Sequence, residues 1–381
     1  MKSKKVLHVV TISFVIKHFF GQQFNYLNIK TGNKYYLACS DSKELEEWSN
    51  KLGYTAFSVE ITRSINPIKD IIAIFKLVNY IRKEKFDYVV AHTPKGGLVG
   101  MIAAFIAKAP NRIYFRHGIA YETSKGLKRI LLKNIERLSG YLAKKVVNVS
   151  YGVQKIAEKD NLNSFNKNII LRKGTCNGID ALNRFNPENY CENDVIDLRK
   201  KLSISEDDFV IGYVGRLVHD KGIDELIEAW ISLRKNKNIK LLLVGPFEEK
   251  DSVKDSTKNI IFSDENIIFT DYVQDASIYF NLMHIFVLAT YREGFPTVSL
   301  EASSMKLPVI ITRATGCEEA ILNDITGSFI HNSSENIVNS VLRYYNNREL
   351  VEKQGLEGRA FVLNDFEQKL IWDEINFKLG Y

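Results

Sequence analysis

The amino-acid sequence predicts an α/β protein built from two doubly wound, parallel-sheet domains. Its 381 residues are more than twice a typical domain of about 150. Two successive series of short β-branched runs alternate with longer amphipathic stretches, the signature of repeated βαβ units. Between the two series, segment 177–208 is rich in Asn, Asp, Pro and Gly and breaks the pattern. Hydrophobic residues make up 45% and charged residues 25%, the proportions of a globular chain and not of a disordered or coiled-coil one.

The first series predicts strands at 6–10, 35–39, 88–91, 112–115 and 146–149; the second predicts them at 209–215, 241–245, 267–269, 285–289 and 309–312. Two closing helices are expected at 348–363 and 366–379. The predicted domains are therefore 1–180 and 181–365, with the last helix, 366–381, packing back on the first. Where parallel sheets of this kind face each other, ligands bind at the carboxyl ends of the strands, in the crevice between domains.

Composition narrows the function classes. Cys39, Cys176, Cys191 and Cys317 lie far apart without C-x-x-C or Cys/His spacing, so neither a disulfide framework nor a structural metal is expected, and a reducing cytoplasm is. Residues 1–20 open with lysines and then read as a strand, and Lys17 and His18 interrupt the apolar run, so no secretory signal is expected. No stretch approaches roughly 18 uncharged apolar residues, which leaves only peripheral membrane contact. Residues 1–180 carry 30 Lys and Arg against 13 Asp and Glu, whereas 181–381 carry 22 against 32. A basic first half suits phosphates or anionic lipid; nucleic acid is not expected, because no nucleic-acid-binding motif accompanies the charge.

Two segments of the second half carry chemistry. Strand 209–215 runs into Gly215-Arg216, and Lys221-Gly222 follow before an amphipathic helix. The glycines permit a tight strand-to-helix turn, and the two cations stand at the carboxyl edge of the sheet, where a leaving diphosphate would find forked guanidinium hydrogen bonds and an ammonium point charge without a metal. Taken alone, the segment also fits a solvated turn with surface cations. It is neither a P-loop nor a G-x-G-x-x-G dinucleotide loop. After strand 285–289 come Glu293, Gly294, Phe295, Pro296, Thr297, Val298 and, further on, Glu301. Pro296 reads as the first helical residue, so that the following amides and the helix dipole make a second, uncharged anion site. Glu293 and Glu301 are placed to accept hydrogen bonds from sugar and ribose hydroxyls; either one alone would also be an ordinary acid at a helix start.

These two segments resemble the retaining glycosyltransferases of family 4, which share the pattern G-R-x4-K-G followed about 70 residues later by E-G-F-P/G-x4-E. Gly245-Pro246, Val273, the turn at Asn177-Gly178 and the Gly316-to-Glu319 segment also fall where such chains have equivalents. The resemblance implies a GT-B fold of two facing Rossmann-like domains. It implies that Gly215, Arg216 and Lys221 hold the donor diphosphate, that Glu301 holds the ribose and that Glu293 holds the donor sugar. Backbone near Val273 would meet the base, and amides of 295–298 the diphosphate and sugar. In the first half, His117 resembles the histidine that approaches the transferred sugar from the acceptor side, His92 reads as structural support, and Gly21 stands where a glycine loop admits the donor phosphates. Segment 63–67, the His92 region and Arg116-His117-Gly118 most resemble transferases that assemble bacterial surface polysaccharide or protein-linked glycans on a polyprenyl diphosphate.

The resemblance implies a nucleotide-sugar donor, UDP-linked by family frequency, a glycan or lipid-linked acceptor, retention of anomeric configuration by front-face displacement, and no cofactor or metal. A nucleotide-sugar 2-epimerase of the same architecture and a non-catalytic nucleotide or glycan sensor remain as alternative readings. Finally, Leu127, Ile130, Leu131, Ile135, Leu138 and Leu142 recur at helical spacing between Lys128, Arg129, Lys133 and Arg137. This reads either as a sheet-covering helix with a basic outer side or as a face that docks the protein peripherally on the inner leaflet of the cytoplasmic membrane.

Overall fold

In the computed structural model, which describes residues 3–64 and 66–381, the strands of each predicted series pair in parallel within a sheet of their own. The chain divides into two units, one running to Gly178 and joined by Gln368–Tyr381, the other Ile179–Glu367. Among the described residues no helix is long and apolar enough to cross a membrane.

The first unit contains β1 (Lys5–Val9), α1 (Val15–Phe19), α2 (Gln23–Thr31), β2 (Lys34–Cys39), α3 (Lys43–Leu52), β3 (Tyr54–Ser58), α4 (Pro67–Glu84), β4 (Tyr88–His92), α5 (Pro94–Ile106), β5 (Asn111–Arg116), α6 (Gly126–Leu142), β6 (Lys145–Asn148), α7 (Tyr151–Lys159) and β7 (Asn168–Ile169). Its strand order is β3-β2-β1-β4-β5-β6-β7, so the direction of winding switches between β1 and β4. Alternate residues of each strand feed opposite apolar layers: Val6 and Val10 face one, Leu7 and Val9 the other. Both layers are closed by helices, which is why the strands lack polar alternation. Helix starts follow local capping chemistry: the side chains of Ser42, Asn66 and Ser150 accept from the amides of Leu45, Lys69 and Val153.

The second unit contains α8 (Glu192–Lys201), β8 (Phe209–Val214), α9 (Ile223–Leu233), β9 (Ile239–Val244), α10 (Asp255–Ser263), β10 (Ile267–Phe269), β11 (Ile285–Leu288), α11 (Thr297–Ser304), β12 (Val309–Thr312), β13 (Gly327–Ile330), α12 (Ser334–Tyr345) and α13 (Arg348–Asp365). The order is β10-β9-β8-β11-β12-β13, with its switch between β8 and β11. A final helix, α14 (Gln368–Leu379), belongs to the first unit, where Ile371, Trp372, Ile375 and Leu379 join the layer of Val6 and Val10. The indole of Trp372 donates to Asn177 at 2.8 Å. Strands β3, β7 and β13 go beyond the sequence expectation. β3 and β13 are outermost strands interrupted by Thr, Ser or Gly, and β7 has two residues, so none forms the apolar run that marks a central strand.

Candidate active site

The loops after β8 and β11, the two strands flanking the switch of the second sheet, lock onto each other. Gly222 ends the first loop at φ +71°, and a Cβ there would lie 1.9 Å from the Ala289 carbonyl oxygen, so only glycine lets this loop reach the end of β11. Asp220 fastens the pair. Its carbonyl accepts from the Tyr291 amide at 3.0 Å and the Thr290 hydroxyl at 3.1 Å, and its carboxylate accepts from Arg292 at 2.7 and 3.1 Å. Neighbouring Lys221 consequently forms an ion pair with Glu293, both largely shielded at 21% and 12% exposure. Behind Glu293, its amide donates to the Thr315 carbonyl at 2.9 Å, and Gly316, at φ +79°, leaves room for the carbonyls of Glu293 and Gly294, which a Cβ would meet at 2.7 and 2.4 Å.

Arg216 follows Gly215, whose φ of +147° turns the chain out of β8. The guanidinium pairs with Glu248 and stays half-exposed. The Tyr213 hydroxyl donates to the Arg216 carbonyl at 2.7 Å, which anchors the backbone rather than the side chain. Burial keeps this phenol protonated by raising its pKa. The loop thus presents two cations, each held by one carboxylate that an anionic ligand would have to displace or share.

Pro296 does not open the helix. It sits just before α11 with φ −80° and ψ 74°, and the Thr297 amide turns back to the Phe295 carbonyl at 2.9 Å, an inverse γ-turn. The amides of Gly294, Phe295 and Val298 make no hydrogen bond to the described residues, and these remain to meet an anion. One turn into α11, Glu301 is half-buried and its carboxylate makes no hydrogen bond among the described residues. Burial pushes its carboxyl up to about 7, with Arg184 pulling down and Asp275 pushing up less strongly. Val273 lies in the loop after β10, partly buried against the core of the unit.

In the first unit, Gly21 lies between α1 and α2, well past β1, and its φ of +46° gives the chain a left-handed turn. An added Cβ would reach only ordinary contact with Asn177 at 3.6 Å, so conformation and not crowding selects glycine. His117 follows β5. Its ring stacks on Phe19 at 4.0 Å and 8°, and its Nε2 lies 3.1 Å from Nδ1 of His92. Arg116 points elsewhere, into a buried network with Glu136 at 3.0 Å, Asn148 at 2.9 Å and Asn163 at 3.0 Å.

Helix α6 reverses the expected distribution of its faces. Glu136, Ser139, Gly140 and Leu142 are buried, because Arg116 draws Glu136 inward and a Cβ at Gly140 would meet the Leu162 carbonyl at 2.6 Å. Leu127, Ile130, Leu131 and Leu138 are exposed, Leu127 at 85%. Three of the four cations assigned to the outer face also bind the protein itself. Arg129 donates to the Tyr121 and Glu122 carbonyls at 3.0 and 3.2 Å, Lys133 pairs with Asp160 at 2.7 Å, and Arg137 donates to the Asp160 carbonyl at 2.9 Å. Lys128 is exposed.

Sequence reasoning missed Asp220, Arg292 and Glu248, although Asp220 and Arg292 each adjoin a named site residue. It also missed His8, a polar residue inside the apolar run of β1.

The chain matches the family described as Glycosyl transferases group 1 over residues 194–361 and that described as Glycosyl transferase 4-like over 12–150. It is 34% identical over 377 residues to a capsular polysaccharide biosynthesis glycosyltransferase of Staphylococcus aureus, covering 98% of this chain and 96% of that one. It is 26% identical over 320 residues to a UDP-Gal:alpha-D-GlcNAc-diphosphoundecaprenol alpha-1,3-galactosyltransferase of Escherichia coli, covering 82% and 80%. Among solved structures, a Rickettsia africae glycosyltransferase superposes with TM-score 0.83 at 19% identity over 100% of this chain and 98% of that one. An Anabaena protein solved in complex with UDP superposes with TM-score 0.81 at 17% identity, covering 100% of both. With the G-R-x4-K-G and E-G-F-P-x4-E loops joined across the β8/β11 switch, the chain belongs to the family 4 glycosyltransferases and has their GT-B fold.

Proposed function

We propose that the protein transfers a sugar, with retention of configuration, from a UDP-sugar to a lipid-linked glycan acceptor in the assembly of a bacterial surface polysaccharide. The observation that carries this reading is the clamp of Lys221 and Glu293, set by Asp220 and Arg292 beside Arg216. A diphosphate entering there takes over the two cations, and Glu293, released from Lys221, is free to accept from sugar hydroxyls. As the bond from the anomeric carbon to the diphosphate oxygen breaks, the negative charge on that oxygen is stabilised by Arg216, Lys221 and the open amides of 294, 295 and 298. The acceptor oxygen bonds the anomeric carbon on the same face, and its proton passes to the departing phosphate oxygen. His117 meets the transferred sugar from the acceptor side. Cationic side chains thus take the place of a metal.

The acceptor class is supported by the relatives, two of which are named for sugar transfer to diphosphoundecaprenol-linked sugars. Peripheral membrane attachment is proposed through exposed apolar residues of α4 and α6. On α4, Ile68, Ile71, Ile72 and Phe75 are exposed at i, i+3, i+4 and i+7. Helix α4 packs on α5, and α5 packs on α6, which exposes Leu127, Ile130 and Leu131. An excess of basic residues in the first half complements an anionic leaflet, each cation near it contributing about 1 kcal/mol. Apolar insertion, assisted by charge, is the proposed attachment.

The test is direct. Purified protein is offered UDP- and GDP-sugars with an undecaprenyl-diphosphate-linked acceptor, and the product is read by mass and by the anomeric coupling constant. A product of inverted configuration, or turnover abolished by EDTA and restored by a divalent cation, refutes the mechanism. Conversion of the nucleotide sugar without acceptor points to the epimerase instead.

A further inference from the structure

Three histidines, one within and two at or just past the ends of three adjacent strands of the first sheet, touch in a row. His8 lies in β1, His92 ends β4 and His117 follows β5, strands that are consecutive in the sheet. Nδ1 of His8 is 3.0 Å from Nε2 of His92, and Nδ1 of His92 is 3.1 Å from Nε2 of His117. Aromatic rings fix each imidazole: Phe20 and Phe24 against His8, Phe20 edge-on and Phe115 stacked against His92, and Phe19 flat against His117. His8 and His92 are 2% exposed. Burial holds His8 and His117 at about 3 and His92 well below its ordinary value, with its two neighbours lowering it further. All three rings are therefore neutral at pH 7, with one ring proton each.

This proton count restricts the row severely. Each of the two contacts needs one proton between its nitrogens. If His8 donates through Nδ1, then His92 accepts at Nε2, must carry its proton on Nδ1, and donates to His117. His117 then has its proton on Nδ1, the nitrogen not facing His92. If His117 instead donates through Nε2, the same reasoning runs backwards and all three protons sit on Nε2. No mixed arrangement satisfies both contacts. We propose that His8, His92 and His117 form one tautomeric unit, all protonated on Nδ1, so that His117 presents an N–H donor to the transferred sugar. The polarity follows from the far end. Nε2 of His8 is buried without a partner among the described residues, and a buried N–H left unpaired is rarer than an unpaired acceptor. His8 and His92 are positioning residues: they touch no substrate but decide what His117 offers. The inference rests on the reading that His117 meets the sugar.

The experiment is a long-range 15N–1H correlation of the full chain labelled with 15N-histidine at pH 7, with resonances assigned by single substitutions. His18, His219, His284 and His331 complete the seven histidines and serve as internal references. The expected result is that His8, His92 and His117 all show the neutral Nδ1–H pattern. Finding any of them cationic, finding two different tautomers among them, or finding all three as Nε2–H overturns the proposal. In His92→Leu, His117 loses the donor at its Nε2 and should move toward the Nε2–H form; an unchanged His117 tautomer also overturns it. The unsubstituted protein alone suffices should His92→Leu not fold. In the activity arm, His92→Leu should lower kcat about fivefold to tenfold with UDP affinity unchanged. The expected spectra with no change of kcat in either His92→Leu or His117→Ala would leave the tautomeric unit standing and overturn its role at the sugar.

Discussion

Replacing Glu301 by glutamine should stabilise the free protein at alkaline pH while weakening its hold on UDP. Burial raises the carboxyl from 4.5 to about 7. A carboxyl with a raised folded-state pKa contributes most to stability below its unfolded value and loses that contribution as pH rises through the folded value. Above both values, at pH 8, wild-type protein bears the full cost of a buried carboxylate, about 3 kcal/mol from the size of the shift. At pH 5, where the folded carboxyl is protonated, the cost is under about 1 kcal/mol. The glutamine variant never ionises, so its advantage should follow the same curve. For a unit of this size it corresponds to a rise of about 6 °C or more in the melting temperature at pH 8. Urea or thermal unfolding followed by the fluorescence of Trp230, the tryptophan of the second unit, measures it. With Glu301 assigned to the ribose, as the family resemblance implies, UDP affinity at pH 8 should fall about tenfold through loss of an ionised acceptor. A variant no more stable than wild type at pH 8, or equally stabilised at pH 5 and pH 8, refutes the reasoning that burial sets this carboxyl.

Arg216→Ala and Lys221→Ala should each reduce turnover by about 10²-fold or more with the fold intact, because each removes a cation from the leaving diphosphate; rates within twofold of wild type for both would remove the phosphate assignment. Glu293→Gln should lower transfer strongly yet leave UDP affinity unchanged or raised, since Lys221 is then released from its partner; calorimetry showing a tenfold loss of UDP affinity would contradict this. Replacing Leu127, Ile130 and Leu131 together with serine should reduce co-sedimentation with anionic liposomes at least tenfold and spare UDP binding, each exposed leucine or isoleucine contributing about 1.5–3 kcal/mol when fully inserted. Liposome binding that persists in the triple variant, or that vanishes in wild type at high salt, would rule out apolar insertion by α6.

Much of this protein is determined along the chain. The two series of apolar runs dictate two parallel sheets, because only strands covered on both faces lack polar alternation. The positions of Arg216, Lys221 and Glu293 in the loops just past strand ends, and of Glu301 in the helix that follows, are likewise legible, since a strand's end, a glycine turn and a helix start are local features. What lies between distant segments was decided only by the tertiary structure. Asp220 means nothing until the β8/β11 adjacency brings Arg292 to it, and the cation of Lys221 is paired only because Gly222 lets one loop rest on the other. Helix α6 shows the same limit: its periodicity marks an amphipathic helix, but which side faces inward was settled by the buried Arg116 drawing in Glu136, against the apolar pattern. His8, His92 and His117 are scattered through the sequence, and only the strand order β1-β4-β5 puts them in a row. Local sequence sets the period of an element and the chemistry at its ends, whereas pairing among buried charges and rings depends on which strands become neighbours.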